Sequence, residues 1–457
     1  GFSQGYSKRA GASCLLGYSG WEIGVDKQAA VLLGLLFSLV FCGTNYFFYK
    51  ESEGKEMKER KRTKRLLAWM LALLLAVTGV PLYGMEVRAA GEILKDGNFS
   101  YTVNDDGKSV MIIRYDPVET TEESVTIPST IDGKNVTAIG SAAFSNFTAL
   151  TNITISGNVT YIGNSAFYNC SSLASITIPD SVTTIDIYAF DGCTSLENLS
   201  IPASVTSINT GAFANCSGLT NITVAEENKI YDNRNSCNSI IKKKTNELIL
   251  GCKNSVIPDS VTSIGDSAFL GCSKLENINI PDSVTSIGSS AFCGCSSLTS
   301  ITLPNNVTST GFHAFENCTS LTSVTIPNSV ISIDTSSFQG CSKLASLTIP
   351  ESVYDIGDRA LLDCKNLESI TIPGNMTRID YHALGYVINP YSKNEEKIPD
   401  FTIYGEKGSV AETYASNNEF TFVPTARSLS KATIRLERTS YTYDGTPKEP
   451  ALTVELN

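Results

Sequence analysis

Apolar residues recur along this chain in a fixed order, with small polar residues set between them. Residues 272–295 show it most cleanly, C-S-K-L-E-N-I-N-I-P-D-S-V-T-S-I-G-S-S-A-F-C-G-C, and 295–318 repeat it almost letter for letter. The skeleton L-x-x-I-x-I-P-x-x-V-x-x-I-x-x-x-A-F-x-x-C also runs through 318–341 and 341–364. Its aromatic position holds Phe144, Phe167, Phe190 and Phe213, then Phe269, Phe292, Phe315 and Phe338, and ends in Leu361 and Leu384. Every step is 23 residues except Phe213 to Phe269, which is 56, or one repeat plus a 33-residue insertion. Ile278 and Ile280 share one face of an extended segment. Pro281 has no N–H for a ladder and ends that strand. Val284 and Ile287 line a second extended stretch. Ile287, Ala291, Phe292 and Cys295 fall at the spacing of one helical face and predict a short helical turn. A single such rung buries too little to repay its own ordering, so the unit implies stacking against copies of itself.

A fixed period of this length with this leucine and isoleucine pattern is the signature of a leucine-rich-repeat solenoid. The expected fold is a right-handed β/α superhelix, mainly β with short helical turns and capped at both ends. Its repeats run over residues 125–386, with the insertion at about 217–254. At about 4.8 Å per rung, ten rungs plus the insertion make a curved rod about 50 Å long.

The flanking segments read differently. The basic run Lys58–Arg65 leads into the apolar stretch Leu66–Val80, and Val87-Arg88-Ala89 follows with small or apolar residues where signal peptidase cuts. Residues 57–89 are therefore expected to be a secretory signal peptide starting at Met57. Residues 1–56 contain Ala29–Phe48, which is long enough to cross a bilayer. They read either as translated upstream sequence or as a transmembrane segment. In 90–124, Phe99, Tyr101 and Val103 alternate, Asp106-Gly107 turns, and Val110, Ile112 and Ile113 return, predicting an N-terminal cap hairpin. In the insertion, Ser239–Ile241 and Leu248–Leu250 flank the polar Lys242–Asn246, predicting a second hairpin with the three lysines as a solvated turn. Residues 387–424 form the expected C-terminal cap, with Ser409 and Glu412 placed as a capping box. Residues 425–431 read as a linker, and 432–457 as the first strands of a truncated immunoglobulin-like domain.

Charge narrows the function. The net charge is −11, but residues 1–89 hold 12 Lys and Arg against 7 Asp and Glu, which leaves residues 90–457 at −16. Such a body repels phosphate backbones, so no nucleic-acid partner is expected. Contact with a membrane is expected only through the signal or a possible N-terminal anchor.

Candidate chemistry is sparse. Cys170, Cys193 and Cys216, then Cys272, Cys295, Cys318, Cys341 and Cys364, recur with the repeat and read as small apolar core residues stacked at one corner. Cys237 and Cys252 flank the insertion hairpin and are a possible disulfide. His313 and His382 occupy one repeat position that elsewhere holds Ser165, Ser267 and Ser290, and read as surface variation. No nucleophile elbow, phosphate loop or metal-ligand spacing appears, so no catalytic residue, metal ligand or cofactor is expected. The outward positions of the first strand are small and polar. Asn152, Asn198, Asn277, Ser300 and Ser369 are the candidate binding surface there, although the Tyr, Trp and Arg clustering of binding hot spots is missing.

The repeat, the insertion with Gly251-Cys252-Lys253-Asn254, and the closing Tyr404-Gly405-x-x-Gly408-Ser409-x-Ala411-x-x-Tyr414-Ala415 resemble the BspA-type leucine-rich-repeat surface proteins. The resemblance covers roughly residues 96–424. It implies a secreted or cell-surface bacterial protein that binds or adheres to a protein or glycan outside the cell, and it carries over no ligand-contacting residue. An alternative is a targeting or structural module of a larger extracellular enzyme whose catalytic domain lies beyond residue 457. Phe147 in place of the first cysteine, Thr310 in place of an isoleucine, and Leu361 and Leu384 depart from the pattern and imply weaker rungs.

Overall fold

The structure is a computed structural model and describes residues 92–117, 122–425 and the strands Ala432–Leu436 and Leu452–Leu456. The signal-peptide reading of 57–89 and the two readings of 1–56 lie outside the described residues.

Most rungs contribute two short strands, and these strands stack in parallel on two faces. On the first face, Ser124–Thr126, Asn152–Thr154, Ser175–Ile176, Asn198–Ile201 and Asn221–Val224 form one parallel sheet. On the second face, Lys134–Ile139, Tyr161–Ile162, Thr184–Ile185 and Ser207–Ile208 do the same. The second face resumes after the insertion as Ser263–Ile264 with Ser286–Ile287, and then as Ser332–Ile333, Asp355–Ile356 and Arg378–Ile379. The period sets the register: Ile185 pairs with Ile208 and Ile333 with Ile356, each 23 residues on. The result is a β-solenoid with little helix.

The corner that carries Ala and Phe is not a helical turn. Its residues form consecutive tight turns, and the residue before the alanine takes a left-handed conformation, as at Ser165, Ser267, Ser290, His313 and Arg359. A helix would satisfy its N–H groups internally. Here the donors alternate between the corner itself and the next rung. Phe167 N–H reaches Ala189 O at 2.7 Å, while Tyr168 N–H reaches back to Ser165 O at 3.0 Å. Sharing donors with a neighbour excludes the helical path even though the apolar spacing suits one.

The side chains inside stack as columns. Phe144, Phe167, Phe190 and Phe213 lie ring over ring with centroids 5.1–5.2 Å apart. Phe269, Phe292, Phe315 and Phe338 form a second column at 4.9–5.4 Å. The cysteines form a third. Each ladder thiol donates to the carbonyl of the phenylalanine one rung back, as in Cys170 to Phe144 at 3.2 Å and Cys341 to Phe315 at 3.3 Å, except Cys272, which donates to Gly251 O at 3.5 Å. Burial pushes these thiols up, to about 12 for Cys170, Cys318 and Cys364, so they are poor nucleophiles.

The insertion breaks the phenylalanine column. Strands Ser239–Lys242 and Glu247–Gly251 form an antiparallel hairpin, and the second continues the stack by pairing in parallel with Ser263–Ile264. Gly251 then stands where a ring would. Its N–H donates to Ala268 O at 2.8 Å, the bond a phenylalanine makes in other rungs. A Cβ added there would overlap Cε1 and Cζ of Phe269. The core divides at this hairpin, with Ile240, Leu250 and Cys252 in the N-terminal cluster and Cys237, Ile241 and Leu248 in the C-terminal one. Cys237 and Cys252, singled out as a possible disulfide, are accordingly both free thiols here. Ser239 pairs with Gly251, so Cys252 falls opposite Asn238 rather than Cys237. The two thiols donate separately, to Ser239 O and to Asn238 O. Of the three lysines, Lys242 pairs with Glu247 at 2.8 Å and Lys243 donates to Asn228 O at 2.5 Å.

At the N-terminal end, Leu94–Asp96, Phe99–Val103 and Ser109–Tyr115 make an antiparallel meander whose last strand pairs in parallel with Lys134–Ile139. At the other end, Thr402–Glu406 and Thr421–Thr425 extend the first face in parallel around the helix α1, Val410–Asn417. Ala411, Tyr414 and Ala415 of α1 are buried. Its capping box does not form. Glu412 reaches past Ser409 to the Gly408 N–H at 2.6 Å, and the Ser409 hydroxyl has no partner. The strands Ala432–Leu436 and Leu452–Leu456 pair antiparallel.

Candidate binding surface

The first-face residues named from the sequence are all exposed. They are spread along the rod rather than gathered into one site. Asn152 and Asn198 share a row with Ser175 and Asn221 in the N-terminal sheet. Ser300 pairs with Ser323 in a separate two-stranded sheet, and Ser369 pairs with Thr402 near the C-terminal end. Asn277 lies outside any strand, and its side-chain oxygen accepts from the Thr299 hydroxyl at 3.4 Å. The row is small and polar.

The second face is different. The residue after its buried valine, or in one rung after the buried Met376, is threonine in most rungs, Thr308 among them; six of these are hydrogen-bonded across rungs: Thr160, Thr183, Thr206, Thr262, Thr285 and Thr377. Each of these hydroxyls donates to a backbone carbonyl at the same level one rung back, at 2.8–3.3 Å. The position thus has a structural use, and a small hydroxyl fulfils it. At Ile331 and Tyr354 the backbone ladder persists, with Ile331 N–H to Thr308 O at 2.9 Å and Tyr354 N–H to Ile331 O at 3.1 Å. The side-chain bond is gone, and apolar surface stands in water instead. Two further exposed rings, Phe312 and Tyr381, lie in the flanking rungs four residues further along the repeat, at a position where other rungs carry Ser289 or Thr335. The four are 40–57% exposed. Folding gives no reason for apolar side chains at these positions. Ile331 and Tyr354 adjoin across one rung step, so their exposed surfaces lie side by side.

Charged groups border the patch. Arg378 grips Asp355 through two nitrogens at 2.6 and 2.8 Å and approaches Asp380 at 3.5 Å. Asp358 accepts the Tyr381 N–H at 3.1 Å. Burial raises the Asp380 carboxyl, and the neighbouring Asp358 and Asp355 charges raise it further, against the pull of Arg378. Arg359 is held by Glu395 at 2.6 Å and lies over the Tyr381 ring at 5.2 Å. His382 also pairs with Glu395 and is stacked between Tyr381 and Tyr386, with centroids at 3.7 and 3.8 Å. The other histidine, His313, pairs with Glu316 at 2.8 Å. Both histidines thus have defined partners on this face.

A repeat-by-repeat alignment carries the signal that picks out the second face: a column of threonines interrupted by Ile331 and Tyr354. Among the described residues no group of three His, Cys, Asp or Glu is placed to hold a metal ion. Two hollows of about 350 and 390 Å³ lie near the C-terminal end, lined in part by Val387, Ile388 and Ile398 and by Ile349, Ile372 and Glu406, respectively.

A parallel β-solenoid built from 23-residue rungs with a polar and an apolar-bearing face defines a repeat protein of the leucine-rich class. The chain belongs to the family of the BspA type leucine-rich repeat region, whose profile matches residues 119–242, 239–321 and 262–389 in six copies. Similar solved structures include the pneumococcal vaccine antigen PcpA, at 18% identity and a TM-score of 0.49, covering 74% of this chain and 100% of that one. Another is a leucine-rich cell surface protein from Faecalibacterium prausnitzii, at 25% identity and TM-score 0.36, covering 67% and 97%. A leucine-rich repeat protein from Bacteroides ovatus aligns at 22% identity and TM-score 0.37, covering 73% and 100%. No curated protein matches the chain.

Proposed function

We propose that this protein is a non-catalytic binding module that works outside the bacterial cell, exported by the signal at 57–89 and acting in adhesion. In this reading the solenoid is a right-handed coil. The N-terminal meander and α1 cap it by covering the open ends of its core, a task that repeat stacks need done at both ends. The observation that carries the binding role is the replacement of the threonine column by Ile331 and Tyr354. These two side chains forgo a hydrogen bond and expose apolar surface on a rigid ladder. Rigid presentation keeps the entropic cost of engagement low.

The reading is tested by screening the full chain and its Ile331→Thr/Tyr354→Thr variant against arrays of purified extracellular proteins and glycans. The expected result is a partner retained by the wild type and lost by the variant. Retention by both forms alike, or by neither, would overturn the assignment.

A further inference from the structure

We infer that the second-face patch around Ile331 and Tyr354 docks a cationic polypeptide segment, one that presents lysine or arginine beside apolar side chains. This rests on the binding-module reading above and adds the chemistry of the partner. Two independent features of the patch point to it.

The first is charge. Asp355, Asp358 and Asp380 stand together, and Arg378 is the basic side chain that reaches them. The nearby Arg359 is committed to Glu395. The patch therefore carries more carboxylate than its own cations neutralise. It belongs to a body of net charge −16 over residues 90–457. Such a surface draws cationic partners from a distance and rejects anionic ones, which disfavours acidic proteins, nucleic acids and anionic lipid surfaces.

The second is the form of the apolar surface. Sugars bind aromatic residues by lying on an open ring face. Tyr381 does not offer one freely, because His382 is stacked on it at 3.7 Å and the Arg359 guanidinium lies over it. Of the adjoining pair Ile331 and Tyr354, Ile331 has no ring at all, which leaves the single Tyr354 ring beside it. Branched aliphatic and ring-edge surface beside carboxylates suits the mixed side chains of a polypeptide, whose apolar groups contact Ile331 and Tyr354 while its ammonium or guanidinium groups reach Asp358 and its neighbours.

The test measures fluorescence anisotropy of three short labelled peptides, rich in Lys and Leu, Glu and Leu, or Lys and Ser, on the full chain. The Lys/Leu peptide is expected to bind, and the other two at least about tenfold more weakly, since each lacks one of the two features. The variant Ile331→Thr/Tyr354→Thr, which keeps every charge, is expected to lose about tenfold for the Lys/Leu peptide with an unchanged thermal melt. Asp358→Asn, which still accepts the Tyr381 N–H, is expected to weaken binding and flatten its salt dependence. Equal binding of Lys/Leu by the wild type and the double variant would reduce the effect to general attraction of polycations and overturn the proposal. So would a preference for the Glu/Leu peptide, or no binding by any peptide. If a partner from the arrays were lost on Ile331→Thr/Tyr354→Thr while the peptides behaved in any of those ways, the binding-module reading would stand and this one would fall.

Discussion

Replacing Phe292 by alanine should cost more than replacing Phe213, although both sit at the same position of the repeat and both are buried. Phe292 is stacked on two rings, Phe269 at 4.9 Å and Phe315 at 5.3 Å, with planes within 9° of parallel. Phe213 stacks on Phe190 at 5.1 Å, and the insertion places Gly251 rather than a ring before Phe269. Truncating a buried phenylalanine costs about 3–5 kcal/mol through lost transfer energy and the cavity left behind. An aromatic pair adds about 0.5–1.5 kcal/mol beyond area burial. Phe292→Ala should therefore fall at the upper end of the range, with Phe213→Ala lower by about one ring pair. Urea denaturation of the full chain followed by far-UV circular dichroism measures the difference, provided the m-values agree. Equal costs, or a larger cost at Phe213, would refute the view that the insertion interrupts a column whose rings support one another.

Other outcomes follow from the same geometry. Gly251→Ala should destabilise by about 1–3 kcal/mol or more, because its Cβ meets the Phe269 ring in a packed core; a melt within error of wild type would contradict this. The ladder thiols should react with a maleimide only as the chain unfolds, so labelling should track denaturation rather than time in native buffer. Their raised pKa also sets a pH dependence. The neutral thiol is favoured in the folded state, so this contribution is complete below the ordinary value of 9.0 and is lost as pH climbs toward about 12. Stability measured upward from pH 9 should fall, whereas replacing one ladder cysteine, as in Cys318→Ala, should shallow that fall. Ile331→Thr and Tyr354→Thr should leave stability within about 0.5 kcal/mol of wild type, as surface changes do, because a threonine there can regain the hydrogen bond of its column.

The repeat was legible because its period is a physical constraint: a residue that faces the core in one rung must face it again 23 positions later. The anchors Phe144 to Phe338 and the cysteine column follow from that alone. At the corner the structure departs from the helical turn that the spacing predicts, because apolar spacing reports which side chains are inside and not where the backbone donors go. Ala291, Phe292 and Cys295 suit a helical face, yet their N–H groups are divided between their own turn and neighbouring rungs. The Cys237 and Cys252 pairing failed to emerge for a related reason. Proximity across a hairpin is readable from spacing, but the one-residue offset that separates the two thiols depends on the register. On the first strand Asn152 and Asn198 stand out from the sequence as exposed polar positions. The residues on which the proposed binding role rests are apolar ones on the second strand, legible only against the threonine column they interrupt.

The most direct test of the account is hydroxyl-radical footprinting of the full chain, free and saturated with a partner retained from the arrays. The account predicts that Phe312, Tyr354 and Tyr381 lose reactivity together on binding while Tyr168 and Tyr188, exposed at the corner of earlier rungs, keep theirs. Unchanged reactivity at the first three, with protection elsewhere along the rod, would contradict it.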